Sequence, residues 1–562
     1  MNVNRKSRAL LILYFFLILA VKVALVSGIR VWGYIDGPYD DGMMLNNTTY
    51  LLNHQWLGPF NEFTLAKGIV FPLYVAFIHQ IGIPYLLSLV LMQFIACAAL
   101  ILSVRKFIIH KTVLALLYTV LMFNPISTYY NAFNRFYRDS LYSYFFLLLF
   151  ACLISLFLNR NESVWKMVFL SSCSGIFLSS VWLMREDSPW LLPFVICSVL
   201  VTGISICRNR ILVHKIRRML VLAIIPLILF FSLFSVSLIN YKYYCFFGTN
   251  EFMNGSLPVL VKDLSSIKPN KWEPQVPIPK STREKAYRVS PTFAKIKPYL
   301  ENDWVMKAEH GNPTCDLMIW GIVDAVQNAG MNTAPATQEF YRKSANEIEK
   351  AFASGKLKKR GSYISIFESP WDNRYILPLL SSVGKTLHML VFFENYPLLD
   401  NGKLYAKNTY AIGINGTIDG LKELERNTNN QVYYSNEPLV QGHKIKLINR
   451  IDDFYTWINP VATVIGLGAY IYICACFFIA ARHRNREGIC YWGERCLVLT
   501  GLLLSCLARI FLLSYSNVSC NFMLYPTYLA PGYWLILIFV LLSLATAGQD
   551  ILKAARRHHT EK

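Results

Sequence analysis

The sequence predicts a polytopic α-helical membrane protein carrying a folded domain outside the bilayer. Three observations carry this expectation. The 562 residues are 54% hydrophobic and only 16% charged, with a mean hydropathy of +0.36; a soluble chain of this length would hold more charge. Apolar stretches of about 20 residues, the length a helix needs to cross a bilayer, recur along the chain. Basic residues gather in every second loop between those stretches.

About ten stretches qualify as spans: 9–30, 83–104, 112–126, 140–158, 165–184, 189–206, 218–240, 457–481, 496–514 and 532–548. The third is short and needs neighbours or a tilt. The first is too long for a cleavable signal and lacks a small-residue cleavage site, so it reads as an anchor.

The net charge of +21 does not point to nucleic acid, because of where the charge lies. Arg5, Lys6 and Arg8 precede span one. Arg105, Lys106 and Lys111 form one loop, and Arg208, Arg210, Lys215, Arg217 and Arg218 another. Arg482, Arg484, Arg486 and Arg495 follow, then Lys553, Arg556 and Arg557. That alternation is the positive-inside pattern, and an even number of spans puts both termini in the cytoplasm.

The chain then divides into a membrane module (1–240) with a long first outer loop (31–82), an extracytoplasmic domain (241–456), and C-terminal spans with a cytoplasmic tail (457–562). In the first loop, Met43, Met44, Leu51 and Leu52 recur at helical spacing, which predicts an amphipathic helix on the membrane surface, started by aspartates. Gly68–Ile81 is a second such piece. The outer domain reads as mixed α/β. Ser281–Leu300 and Pro335–Ser354 look helical, the latter with Pro335 in its first turn and Gly355 at its end. Asn415-Gly416 looks like a hairpin turn. Cys245 and Cys315, the two cysteines of that domain, are the expected disulfide.

The chemistry gathers on the outer face. Asp40–Asp41, Arg138–Asp139 and Arg185-Glu186-Asp187 all fall there, and Lys67 follows the aspartates by one loop length. Acids at a membrane face are costly unless they act. The bland alternative for the pair is a helix cap on a solvated loop. Asp40 is the candidate general base and Asp41 its neighbour, since two adjacent acids repel and can raise one pKa. Lys67, Arg138, Arg185 and Arg509 could bind a phosphate by charge-assisted hydrogen bonds, or could simply snorkel to the interface. Arg509, inside a span, is the hardest to dismiss that way. Asp36, Tyr39, Asp139, Glu186 and Asp187 are candidates for sugar contacts, and Glu186 and Asp187 could equally serve only to pair with Arg185. No cysteine or histidine spacing supports a metal site. Asp36, Asp40 and Asp41 could hold a divalent cation; no other cofactor is indicated.

The loops on the basic side are too short for a nucleotide-binding domain and contain no P-loop or GxGxxG. Outer-face chemistry must therefore use a substrate that reaches it, and a sugar on a polyprenyl phosphate does. Its leaving group is already a phosphate. Such a transfer needs one base for the acceptor hydroxyl and cations for the phosphate.

Asp40–Asp41 after the first span, Trp56-Leu-Gly-Pro59-Phe, Thr64-Leu-Ala-Lys67-Gly68 and Phe71-Pro72-Leu together resemble the first outer loop of GT-C membrane glycosyltransferases. The aminoarabinose transferases of bacteria and the protein mannosyltransferases are similar. The resemblance implies a GT-C-like helical bundle, Asp40 as the catalytic acid of the pair, and Lys67 on the lipid phosphate. Arg138, Arg185-Glu186-Asp187 and the segment Val276-Pro-Ile-Pro279 through Ser290-Pro291 resemble uncharacterised bacterial relatives. It is specific over residues 31–190 and vague beyond. Asp41 stands where many members have glutamate. The outer domain lies between spans seven and eight rather than at the C-terminus, so acceptor identity does not carry over.

The expectation is an inverting glycosyltransferase of the cell envelope, moving a sugar from a polyprenyl-phosphate donor to a glycan, lipid or protein acceptor, in a bacterial inner membrane with its site on the periplasmic face. Its partners would be that donor, the acceptor and membrane lipids, with no nucleic acid. Two rivals are a glycan polymerase or ligase, which relies on arginines and a histidine in late loops, and a transporter, which predicts mid-bilayer polar residues in paired broken helices.

Overall fold

The computed structural model describes residues 2–27, 29, 31–33, 40–129, 133–209, 214–361, 363, 365, 367–393, 410–412, 442–520 and 523–560. Ten helices among them are long and apolar enough to cross a membrane, and the chain is a multi-pass integral membrane protein. Nine match predicted spans.

The tenth, Asn373–Phe392, lies in the stretch assigned to the outer domain. Gly384, Lys385 and His388 dilute its apolar pattern. Conversely, the short third span is a helix of only 12 residues, Lys111–Met122, followed by a 3-10 turn at Pro125–Ser127 that Asn124 caps through its side chain. It runs beside the first helix in the same direction. Tyr14 meets Thr119 Oγ1 at 2.7 Å, and farther along the buried Lys22 donates to Ser127 O at 3.0 Å.

The helix Arg138–Leu158 is the bundle's centre. Almost every residue in it is buried, and it packs on Tyr85–Ser103, Val164–Trp182, Leu192–Arg208 and Pro526–Thr560. Rings interlock there: Phe150 stacks on Phe194 at 4.0 Å. Outward-facing residues such as Leu13, Phe169, Phe230 and Val464 stay exposed and apolar, as a lipid-facing surface requires. Side-chain caps start two helices at the basic end. Ser163 Oγ accepts from Lys166 N–H, and Asn485 Oδ1 accepts from Gly488 N–H, each satisfying an orphan backbone donor.

The basic loops meet one another at that end. Lys106 Nζ donates to Leu158 O at 2.9 Å, Arg218 to Arg160 O at 2.8 Å, and Arg160 pairs with Glu494 at 2.6 Å. The candidate site lies at the opposite end, beneath the domain expected on the outer face.

That domain is helical, which corrects the mixed α/β expectation. Its core joins Leu257, Leu260, Val261 and Leu264 to Ile319, Ile322, Phe340 and Ile348, at three- and four-residue spacings that bury one face of a helix and suit no strand. Tyr410–Ile412 is its one described strand; it pairs antiparallel with Val31–Gly33. Ala334–Ala353 forms with Pro335 in its first turn and Gly355 at φ +74° just beyond. The predicted helix 281–300 divides into Lys280–Val289, Pro291–Ala294 and Lys297–Leu300. Pro291 imposes the first break, since it lacks an N–H and disfavours helix at Ser290, which is extended; Pro298 sits in the first turn of the last piece. Asn415-Gly416 lies outside the described residues.

The disulfide expectation is also corrected. Cys245 is a free, exposed thiol, held at the left-handed end of a membrane helix. Cys520 is disulfide-bonded, at the end of Arg486–Ser519. The side chain of Cys315 lies outside the described residues.

Candidate active site

Asp40 and Asp41 open the helix Asp40–Leu52, where negative charge suits the exposed N–H groups and the dipole. The helix is not laid on the membrane surface as an isolated amphipath. Met43 and Ala66 pack into the outer domain's core, while Met44 and Leu45 join the membrane core. The aspartates are thus fixed from both sides.

The two carboxylates take different partners. Asp41 is fully buried and gripped by Arg135, whose Nε and Nη2 donate to its two oxygens at 2.8 Å each. Asp40 keeps 18% of its side-chain surface exposed. Its Oδ2 accepts from Tyr137 Oη at 3.0 Å and Arg138 Nη2 at 3.3 Å, and lies 3.8 Å from Lys67 Nζ. Oδ1 accepts no hydrogen bond among the described residues. Burial pushes this carboxyl up, but Lys67, Arg138 and the Tyr137 hydroxyl outweigh it and hold Asp40 below the ordinary carboxylate range. It is an anion at neutral pH with one oxygen disengaged.

Lys67 sits over Phe252 at 5.5 Å and Trp320 at 5.7 Å from the ring centroids, so the outer domain supplies its aromatic floor. Gly68 beside it makes a close backbone approach. A Cβ there would lie 2.0 Å from Leu183 O. That approach brings the lysine loop against the loop holding Arg185, Glu186 and Asp187.

Those three residues extend the network. Arg138 Nη1 donates to both oxygens of Glu186, at 2.8 and 2.9 Å. Arg185 pairs with Asp139 and, through Nε at 2.8 Å, with Asp187. Arg509 reaches in from the span Arg486–Ser519, donating to Asp187 at 2.6 Å and to Tyr528 O at 3.0 Å. Burial opposes charge on Glu186 and Asp187, yet the facing cations prevail and keep both carboxyls below their usual range. The Nε atoms of Arg138 and Arg509 are buried with no hydrogen-bond partner among the described residues.

A cavity of about 400 Å³ opens beside Glu186 and Asp187, walled by Trp190, Phe252, Phe367 and Glu368 among others. Glu368 accepts from Ser516 Oγ at 2.7 Å; burial pushes its carboxyl up. Aromatic faces and carboxylates around one space suit a sugar ring, with its apolar C–H faces and hydroxyl edges.

Of the sequence-predicted residues, Asp40, Asp41, Lys67, Arg138, Asp139, Arg185, Glu186, Asp187 and Arg509 come together in this one network. Asp36 and Tyr39 lie outside the described residues. Asp41, expected beside a catalytic base, has both oxygens on an arginine. No three metal-ligating side chains cluster among the described residues. Arg135, Tyr137 and Glu368 were not anticipated. The run Arg135-Phe-Tyr137-Arg138-Asp139 was the available signal for the first two, with opposite charges crowded at the start of a span.

No family model and no curated protein matches the chain. Two solved structures are similar, both of ArnT from Cupriavidus metallidurans, one in the apo state and one bound to undecaprenyl phosphate. They are 14% and 13% identical, and the match covers 97% and 96% of this chain and 78% of that chain, with a TM-score of 0.32 in each.

Proposed function

We propose that the protein is a membrane glycosyltransferase that moves a sugar from a polyprenyl-phosphate donor to an acceptor hydroxyl on the outer face, with Asp40 as general base. The observation that carries this reading is the state of Asp40. Its Oδ2 is anchored by Lys67, Arg138 and Tyr137, and its Oδ1 accepts no hydrogen bond among the described residues; Arg138 links it to Glu186, which lines the cavity. The anchoring cations are those a phosphate leaving group needs, and the spare oxygen is what a proton acceptor needs.

Lys67 and Arg138 hold the donor phosphate, Arg138 with an N–H to spare. Arg185 and Arg509 act at one remove: both are committed to Asp187 and fix the cavity wall. As the bond from sugar to phosphate oxygen breaks, negative charge builds on the phosphate facing Lys67 and Arg138. The acceptor oxygen attacks the anomeric carbon from the opposite face and its proton passes to Asp40, which gives inversion. The site occupies the end of the bundle away from the basic loops, which with the positive-inside pattern supports a location outside the cytoplasm. The disulfide at Cys520 fits an oxidising compartment there.

The test is binding of undecaprenyl phosphate to purified protein in nanodiscs. Lys67→Ala and Arg138→Ala weaken it, each by about tenfold, as expected for loss of a partly desolvated charge-assisted contact. Affinity unchanged in both variants would sink the reading.

A further inference from the structure

Around Asp40, among the described residues, five carboxylates face five cations. Asp40, Asp41, Asp139, Glu186 and Asp187 are paired among Lys67, Arg135, Arg138, Arg185 and Arg509. Counted over the described residues, the donor-free network is charge-balanced and largely buried. On the glycosyltransferase reading, on which this inference rests, a lipid phosphate must enter it. A sugar diester adds one negative charge, and the spent monoester left after transfer adds about 1.5 to 2 near neutral pH. Buried charge without a partner is strongly unfavourable. One resident acid must therefore give up its cation.

Geometry singles out that acid. Asp41 is held bidentately with no exposure. Asp187 is tied to two arginines, and Asp139 is buried against Arg185. Glu186, like Asp139, is held by one arginine through a single nitrogen, here Nη1, but of the two only Glu186 lines the cavity. Its arginine, Arg138, is also the one reaching Asp40. The cavity gives the Glu186 carboxylate space to leave.

We propose that Glu186 is a displaceable internal ligand of Arg138. It neutralises the arginine while the site is empty, turns into the cavity when the lipid phosphate arrives, and competes for Arg138 again to release the spent carrier. Glu186 is a positioning residue on this account, acting on the phosphate through Arg138.

The test measures undecaprenyl phosphate and uncharged undecaprenol binding in nanodiscs for wild type, Glu186→Gln, Arg138→Gln and the double variant. The expected result is undecaprenyl phosphate held about tenfold more tightly by Glu186→Gln, a coupling of ordinary size. Undecaprenol affinity stays unchanged, and the gain vanishes when Arg138 is also replaced. Glu186→Asp, which keeps the charge on a shorter arm, falls between. Should Glu186→Gln lose its fold, Glu186→Asp alone decides: tighter binding supports the exchange, and unchanged or weaker binding refutes it. Three results overturn the proposal: no tightening in a folded Glu186→Gln, equal tightening toward undecaprenol, or a gain that survives in the Arg138→Gln background. If wild type does not prefer undecaprenyl phosphate to undecaprenol, the donor assignment itself fails.

Discussion

Arg135 holds Asp41 in a two-armed grip, Nε to one carboxylate oxygen and Nη2 to the other, both at 2.8 Å. The pair fixes the first turn of the helix on which Asp40 stands. Replacing Arg135 by methionine leaves a fully buried carboxylate without this partner. The expected loss is ~3–5 kcal/mol, read as a lower melting temperature in detergent. Asp41→Asn together with Arg135→Met recovers much of it, because neither charge then remains. A double variant no more stable than Arg135→Met would show that the pair is not what holds the turn.

Asp40→Asn keeps the side chain's size and its contact with Arg138 but cannot take a proton. Sugar transfer falls by about 10²–10⁴-fold, the usual contribution of a general base, while undecaprenyl phosphate still binds. Transfer within a few fold of wild type would remove Asp40 from this role.

Gly68→Ala is expected to disturb the site with no change of charge. The new methyl lies 2.0 Å from a backbone carbonyl, Leu183 O, which no side-chain rotation relieves. Separating the two loops costs ~1–3 kcal/mol and moves Lys67 away from Asp40. The measurement pairs thermal stability with undecaprenyl phosphate affinity. If both stay at the wild-type level, the close approach is not needed.

Glu251 gives a pH signature. It is buried where the outer domain meets the lysine loop: its N–H donates to Leu65 O at 2.8 Å, and Gln338 Nε2 donates to its carboxylate at 3.1 Å. Burial raises its pKa from 4.5 to about 7. The folded state therefore holds this proton more tightly than the unfolded chain. The resulting stability is fully present below pH 4.5 and is lost as pH rises through 7, by ~3 kcal/mol in all. Melting temperature measured from pH 5 to 8 should fall more steeply for wild type than for Glu251→Gln. Parallel curves would contradict the assignment.

Much of the site was legible because its charges stand in short runs at span ends. Lys67, Arg138, Arg185-Glu186-Asp187 and Arg509 could each be placed at one face from the alternation of basic loops alone. Arg135 and Tyr137 were not, since they lie in a non-periodic loop where nothing fixes the direction of a side chain. Glu368 and Trp320 reach the site only through tertiary packing of the outer domain. The helical character of that domain also stands in the sequence. Its Leu257, Leu260, Val261 and Leu264 repeat is helical, and the first break in 281–300 follows from Pro291.

The ion pair of Asp187 and Arg509 joins positions 322 apart, and this has a consequence for biosynthesis. Chains emerge N-terminus first, and early segments settle before later ones exist. Asp40, Lys67, Arg138 and Glu186 can meet while the ribosome is still translating the outer domain. The second partner of Asp187, Arg509, must wait for the helix Arg486–Ser519. A nascent chain halted before that helix holds a half-built wall around its cavity, so on the proposed reading catalytic competence is acquired only once Arg486–Ser519 has been made.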